Sequence, residues 1–212
     1  MMGSDPLNPY DPGDFGAEIR TGYAQEIPWP WYISRASGLL SYFLLFTLIV
    51  LGVGIKTRII YKIINAASAL AAHRFIGIIL SITIAIHLIS LLFDKYLKFT
   101  VIDILVPFVS WYRPLYVGFG VVAFYLFLAV IITSLFFRLK WPWLWRLLHY
   151  LTYPVFFLIF QHGIFSGTDA KTDLMVNSYW ITGSIAAVLI LFRLYHYWRK
   201  IRSAGKIINA TV

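Results

Sequence analysis

The sequence contains no cysteine. This absence excludes disulfide bonds, iron–sulfur clusters held by thiolates and haem attached covalently through a Cys-x-x-Cys-His motif. Charged residues are also scarce, at 13% of the 212 residues, whereas 60% are hydrophobic and 18% are aromatic. Such a composition excludes an ordinary soluble domain and indicates an integral membrane protein.

Five stretches lack any Asp, Glu, Lys or Arg, and they cover residues 36–55, 75–93, 114–137, 147–168 and 174–192. About 20 helical residues cross a bilayer core. Lipid offers the backbone no hydrogen-bond partners, and no two-residue alternation indicates a barrel. The sequence therefore predicts an all-α integral membrane fold, a five-transmembrane-helix bundle. A shorter apolar run, 99–111, contains Asp103 and Pro107 and is expected to be an interfacial segment between helices 2 and 3.

Acidic residues are missing from one side of this predicted bundle. That side holds twelve basic residues: Lys56, Arg58, Lys62, Arg74, Arg138, Lys140, Arg146, Arg193, Arg199, Lys200, Arg202 and Lys206. All nine acids fall on the other side. The positive-inside rule then places the N-terminus outside and the C-terminus in the cytoplasm, and the net charge of +9 requires no nucleic-acid partner.

These patterns divide the chain into three parts. We expect an acidic external arm at 1–31, a transmembrane domain at 32–200 and a basic cytoplasmic tail at 201–212. The arm has no apolar run, so no cleavable signal peptide is expected. The predicted location is the plasma membrane of a bacterium or archaeon, which the chain crosses several times.

Four of the five histidines form a pattern. His73 and His87 lie fourteen residues apart on the second predicted helix, and His149 and His162 lie thirteen apart on the fourth. These spacings correspond to about 21 Å and about 19.5 Å along a helix. Both helices run from the inside to the outside, so each offers one imidazole at the same two depths. Such helices can clamp two flat macrocycles, as in a bis-histidine transmembrane cytochrome, with His73 and His149 inside and His87 and His162 outside.

Other roles are open to these histidines. A histidine in a membrane helix can simply hydrogen-bond to a neighbouring helix, although matched depths on two helices are poorly explained that way. Zinc needs more ligands than each pair supplies, and no carboxylate or thiolate lies nearby in sequence. A proton relay would require acids between the histidines, and these helices have none.

The fourth helix presents a problem of phase. Thirteen ideal steps leave His149 and His162 about 140° apart around a straight helix, so both could not face one partner helix. Pro154 lies between them and removes a backbone hydrogen bond. We therefore predict a kink at Pro154 that brings both histidines into register.

The chain resembles the ferric reductase transmembrane family, which includes the membrane cores of NADPH oxidases and metalloreductases and the haem subunit of a bacterial methionine sulfoxide reductase. The resemblance covers roughly residues 33–200. Its carriers are "HRFIG" at 73–77 followed by His87, then "WRLLHYLTY" at 145–153 and "HGIFSGTD" at 162–169. It implies two b-type haems, with iron ligands at His73, His87, His149 and His162, and electron flow from a cytoplasmic donor to an external acceptor.

The chain departs from the family pattern in two ways. Relatives often have six helices, whereas here a single helix precedes the two histidine-bearing ones. Many relatives continue into a flavin and nicotinamide domain, but only about a dozen residues follow the last predicted helix, without a GxGxxG motif. We expect no FAD or NAD(P) in this chain, a separate cytoplasmic reductase or quinol as donor, and a place in a larger membrane complex.

Several polar residues flank the predicted ligands. Arg74 and Arg146 could contact the propionates of the inner haem or serve as ordinary positive-inside anchors. Ser166 and Thr168 could contact the outer haem or belong to a plain turn. His196 has no partner at a second depth and is predicted to be interfacial.

Three functions follow as hypotheses. The first is a transmembrane di-haem electron conduit, in which bis-histidine iron has no open position for a substrate, so no catalytic residue is assigned. The second is a cytochrome b-type quinol or quinone oxidoreductase subunit. The third is a non-redox membrane subunit of a larger complex, in which the histidines would be structural.

Overall fold

The computed structural model describes residues 28–210, except for the side chains at positions 168, 171, 200, 201 and 203–210. This part of the chain is helical and contains no strand. Its helices are α1 (Trp29–Thr57), α2 (Ala66–Leu92), α3 (Val101–Leu105), α4 (Pro114–Phe136), α5 (Pro142–His149), α6 (Thr152–Ser166) and α7 (Asp173–Ala210). Single turns of 3-10 helix occupy Ile59–Lys62 and Thr168–Lys171.

Five described stretches are long and apolar enough to cross a bilayer: Trp29–Thr57, Ala66–Leu92, Pro114–Phe136, Pro142–Ser166 and Asp173–Arg199. The predicted all-α membrane fold with five spanning helices is thus confirmed. The segment between the second and third spans contains only the five-residue α3, which is too short to span. Residues 1–27 of the predicted acidic arm, and the last two residues of the tail, lie outside the described residues.

The fourth span is interrupted where the sequence predicts a kink. Helix α5 ends at His149 and α6 begins at Thr152, two residues before Pro154. Pro154 has no N–H, and the carbonyl of Tyr150 instead accepts a 3.2 Å hydrogen bond from the amide of Tyr153. The chain therefore tightens into a 3-10 turn between the two histidines.

The helices pack in two antiparallel pairs, α1 with α2 and α4 with α6, and α7 lies against α1 and α6. Hydroxyl groups join them at mid-depth, where Ser41 donates to Thr83 over 2.8 Å and Tyr42 contacts the Thr182 hydroxyl at 2.6 Å. The buried core lies at this depth and contains Tyr42, Leu45, Ile49, Leu80, Ala123, Phe127, Val155, Phe156, Tyr179 and Ala186. Many apolar side chains elsewhere on the spans are exposed, as expected where lipid is the solvent.

The two ends of the bundle are named from the chain direction. The N-face is the end at which α1 and α7 begin, and the C-face is the end at which α2 and α5 begin. The connection from 93 to 113 lies over the N-face, where Phe99, Ile104 and Tyr112 form a second small core. The hydroxyl of Tyr125 fixes this connection to α4 by donating to the carbonyl of Leu105 over 2.7 Å.

Candidate metal centres

The four predicted ligands form two close pairs. The ring centres of His73 and His149 lie 6.3 Å apart, and those of His87 and His162 lie 6.5 Å apart. We call them the first and the second histidine pair. Helix α1 runs from the N-face to the C-face, and its Gly38 lies against His87 whereas its Gly52 lies against His73. The second pair is therefore nearer the N-face, and the first pair is nearer the C-face. The two pairs therefore occupy two depths of the bundle, as the sequence predicts.

The second pair is held by helix carbonyls. His87 Nδ1 lies 2.7 Å from the carbonyl oxygen of Ser34 on α1, and His162 Nδ1 lies 2.9 Å from that of Tyr116 on α4. A carbonyl oxygen can only accept, so each Nδ1 carries the proton and donates. In a neutral imidazole this leaves the lone pair on Nε2, the nitrogen free to bind a metal.

Two glycines make these hydrogen bonds possible. Gly38 lies one turn after Ser34, and Gly120 lies one turn after Tyr116. A Cβ at Gly38 would lie 3.0 Å from the His87 ring, and one at Gly120 would lie 2.7 Å from His162 Nδ1. A side chain at either position would push the ring away from the carbonyl, so the imidazole fits only because the residue is glycine. We call Gly38 and Gly120 the glycine seats of His87 and His162.

The first pair is held differently. The Nδ1 atoms of His73 and His149 are buried and have no hydrogen-bond partner. A Cβ at Gly52 would lie 3.6 Å from the His73 ring, which is ordinary contact. The indole of Trp145, one turn before His149, packs with its ring centre 5.4 Å from the His149 ring centre. Packing, rather than hydrogen bonding to the neighbouring helices, therefore positions these two rings.

The ring separations fit two axial ligands of one metal ion. An imidazole nitrogen binds a transition metal at about 2 Å, and the ring centre lies about 1 Å further out, so two opposed ligands place their ring centres about 6 Å apart. Zinc fits less well, because it takes three or four protein ligands and no group of three His, Cys, Asp or Glu side chains is found in the described part of the chain. Two opposed imidazoles are the ligand set of a bis-histidine haem.

A cavity of about 210 Å³ lies beside the second pair. A single water needs about 10–15 Å³ by this measure, so the cavity has room for roughly a dozen or more waters. His87 and His162 reach its wall, with Gly38 and Gly120 behind them. Most of the remaining wall is apolar and includes Leu45, Leu80, Val121, Phe124, Phe127, Val155 and Ile159. A flat apolar macrocycle would be well matched to such walls.

Polar groups border the cavity toward the N-face. Arg35 donates from Nε to Asp169 over 2.7 Å, and its second nitrogen forms an ion pair with the same carboxylate. Its guanidinium also lies 3.8 Å from the centre of the Trp31 ring. This ion pair joins the start of α1 to the turn between α6 and α7. Arg35, Asp169 and Ser166 all line the cavity.

Asp103 is a second carboxylate at the cavity wall. The hydroxyl of Thr100 donates to it over 2.6 Å and the amide of Thr100 over 2.8 Å. These hydrogen bonds, led by that of the hydroxyl, hold the pKa of Asp103 below its usual range. The same contacts form the capping box that starts α3, so the helix over the N-face begins at the wall of the cavity.

The flanking residues predicted from the sequence have varied positions. Ser166 lines the cavity, and its hydroxyl oxygen is buried without a hydrogen-bond partner. The side chain of Thr168 lies outside the described residues. Arg74 and Arg146 are exposed, and contacts of either with a propionate stay a prediction. His196 is also exposed, and its ring packs near Phe192 at 6.4 Å between ring centres.

The glycines behind the second pair, Arg35 and the position of Arg193 were not predicted from the sequence. A signal for Gly38 was present, because Gly38 and Gly52 are spaced by fourteen residues, like His73 and His87, the two histidines they contact. Arg193 was predicted to be one of the basic residues that flank the bundle on the cytoplasmic side, but it is 7% exposed and lies inside the fifth span.

The five spans and the two histidine pairs together define a multi-pass helical membrane protein. Comparison with protein families matches residues 37–160 to the family described as "Ferric reductase like transmembrane component". The match covers more than half of the chain, so the chain belongs to this family. The matched segment contains His73, His87 and His149, and it ends two residues before His162. No curated protein and no solved structure matches the sequence.

Family membership confirms the resemblance drawn from the sequence. A ferric reductase-like transmembrane domain is a membrane electron-transfer module, and domains of this kind generally bind haem. The chain is therefore a multi-pass membrane protein of the electron-transfer class.

Proposed function

We propose that this chain is a transmembrane di-haem b-type cytochrome that moves electrons across the membrane. His73 and His149 would ligate one haem, and His87 and His162 the other. The observation that supports this most is the pair of ring separations, 6.3 and 6.5 Å, at two depths of one bundle. Structural histidines would not need to meet in two pairs whose ring separations match those of two imidazoles bound to one metal ion.

The protein's own groups would perform three tasks. The histidines bind iron through nitrogen lone pairs, and the carbonyls of Ser34 and Tyr116 fix the tautomer and orientation of the second pair. The apolar walls exclude water from the cavity. Haem itself supplies the one-electron chemistry, and the residues around it set the potential at which that chemistry occurs.

Aromatic side chains occupy the interval between the two pairs. The rings of Tyr42 and Phe156 are stacked with 5.9 Å between their centres, and Phe46 lies 6.4 Å from Phe156. All three lie at mid-depth, between Gly38 and Gly52 on α1 and between the two histidines on α5 and α6. These packed aromatic rings lie between the two proposed metal centres.

The charge distribution supports a direction for the electrons. The described carboxylates lie toward the N-face, whereas basic residues flank the C-face, so the positive-inside rule favours an external N-face and a cytoplasmic C-face. Electrons would enter at the first pair from a separate cytoplasmic flavoprotein or a quinol. They would leave from the second pair toward an external acceptor, through a chain that is one subunit of an oxidoreductase.

A difference spectrum of the purified protein tests this proposal. A reduced-minus-oxidised spectrum combined with protein quantification gives the number of haems per chain. We expect a b-type spectrum and a ratio of about two. A protein that folds and carries no haem would contradict the proposal, and a ratio of one would contradict its di-haem form.

A further inference from the structure

Arg193 on α7 is a buried cation within the fifth span. Its side chain is 7% exposed, and its Nη2 donates to the hydroxyl of Tyr150 over 3.2 Å. The hydroxyl of Tyr153 is the second polar group close to the guanidinium. Two neutral phenols do not balance a positive charge at membrane depth, and such a charge is costly unless an anion accompanies it.

No carboxylate in the described part of the chain accompanies it. The described residues contain four acids, Asp94, Asp103, Asp169 and Asp173, and all lie toward the N-face. Asp173 opens α7, and twenty helical residues separate its position from that of Arg193, about 30 Å along the axis. Within the described part of the chain, no carboxylate forms an ion pair with Arg193. The counter-ion therefore has to come from outside the described chain.

The depth of Arg193 indicates which anion this is. Its partner Tyr150 directly follows His149 in the sequence. Helices α1 and α7 both begin at the N-face, and Tyr42 on α1 contacts Thr182 on α7. Counting the same number of residues along both helices from this contact places Val53 at the depth of Arg193. Gly52, next to Val53, lies against His73. Arg193 thus lies at the depth of the first histidine pair, on the α7 side of His149.

We propose that Arg193 binds a propionate carboxylate of the haem held by His73 and His149. This inference rests on the proposed function. Without cysteine the haem has no covalent tether, so axial ligation and propionate contacts must hold it. A guanidinium presents a planar fork that matches a carboxylate, and Tyr150 orients it from behind. The positive charge also favours the reduced form of the haem beside it.

The test isolates the first pair by working in the His87→Ala background, which removes a ligand of the second haem. Arg193→Gln is compared with Arg193→Lys and with the matched control Arg202→Gln, an exposed arginine further along α7. We expect Arg193→Gln to lose haem to an acceptor protein on the order of 10- to 100-fold faster, because a charged hydrogen bond is lost. The remaining haem should titrate at a lower potential, with Arg193→Lys intermediate and Arg202→Gln unchanged.

A ligand-side substitution separates direct contact from an effect on folding. Protein stripped of haem is reconstituted with haem or with its dimethyl ester, which lacks the propionate charges. The ester should bind more weakly than haem when Arg193 is present, and this difference should be clearly smaller in Arg193→Gln. An ester penalty of unchanged size in Arg193→Gln, or haem retention and potential equal to those of Arg202→Gln, would overturn the assignment of Arg193. Absence of haem from His87→Ala itself would instead contradict the proposed function.

Discussion

His162 lies against Gly120 so closely that a Cβ on the glycine would come within 2.7 Å of the ring nitrogen Nδ1. The same nitrogen donates to the carbonyl of Tyr116, one turn earlier on α4. Gly38 and the carbonyl of Ser34 repeat this arrangement for His87. Each histidine of the second pair is thus oriented by a glycine and a carbonyl group on another helix.

Alanine at the glycine seats should displace the ligands in a graded way. Gly120→Ala is expected to affect the second haem most and Gly38→Ala somewhat less, because their Cβ atoms would lie 2.7 and 3.0 Å from the rings. Gly52→Ala should be tolerated, since its Cβ would make a 3.6 Å contact. Haem content per chain is the measurement.

Gly77→Ala provides the matched control, because nothing lies within 4 Å of a Cβ at that helical position. We expect it to keep the wild-type haem content. Equal haem content in Gly120→Ala and Gly77→Ala would show that the seat does not position the ligand.

The two haems should differ in midpoint potential. Hydrogen bonds from Nδ1 of His87 and His162 to carbonyls raise the basicity of the second pair and favour ferric iron, whereas Nδ1 of His73 and His149 has no partner. The carboxylate of Asp103 at the cavity wall acts in the same direction. A spectroelectrochemical titration should give two waves, with the second-pair haem at the lower potential.

Single-ligand variants assign those waves. The wave that remains in His87→Ala belongs to the first pair and should be the higher one. If the lower wave remains instead, hydrogen bonding at Nδ1 does not control the order of the potentials.

Much of the architecture could be predicted because its causes are local. Charge-free runs of the length of a bilayer mark the five spans, and two spacings of thirteen and fourteen residues place the histidines at two depths. The interruption before Pro154 follows from a single missing N–H. These features depend on residues close together in the chain.

The seats and the buried arginine could not be predicted, because they depend on contacts between distant residues. Ser34 and His87 are 53 positions apart, and Tyr116 and His162 are 46 apart. Arg193 lies near a run of basic residues and has the sequence context of an interfacial anchor. Only the packing of α7 against the α5–α6 junction shows that its guanidinium is buried.

Pro154→Ala tests the role of the interruption between α5 and α6. Alanine restores the N–H, which can pair with the carbonyl of Tyr150 and favour a continuous helix. A straight helix turns His149 and His162 about 140° apart, so one haem should be lost or weakly held. Haem content and thermal stability are both measured, because a loss of fold would lower both.

Pro142→Ala is the control for this substitution. Pro142 begins α5, where an N–H has no partner within the helix, so alanine there should change little. Full haem content with unchanged spectra in Pro154→Ala would mean that tertiary packing alone imposes the turn.

Asp103 should make stability depend on pH at the acidic end. Its pKa in the folded protein lies below its usual range, because Thr100 hydrogen-bonds to the ionised carboxylate. A depressed pKa contributes stability that is present above the unfolded pKa and is lost as pH falls through the folded pKa. Thr100→Val should therefore have a lower Tm than the wild type at pH 6. When the pH falls below about 4, the Tm of the variant should decrease less than that of the wild type. Parallel Tm curves for the two proteins would contradict this role.

The pairing of the four histidines is tested by the haem stoichiometry of four single variants, His73→Ala, His87→Ala, His149→Ala and His162→Ala. We predict that each variant keeps about one haem per chain. His73→Ala and His149→Ala should retain the same lower-potential species, whereas His87→Ala and His162→Ala should retain the other. The pairing would be contradicted if His73→Ala and His87→Ala retained the same haem species, or if any variant retained two haems.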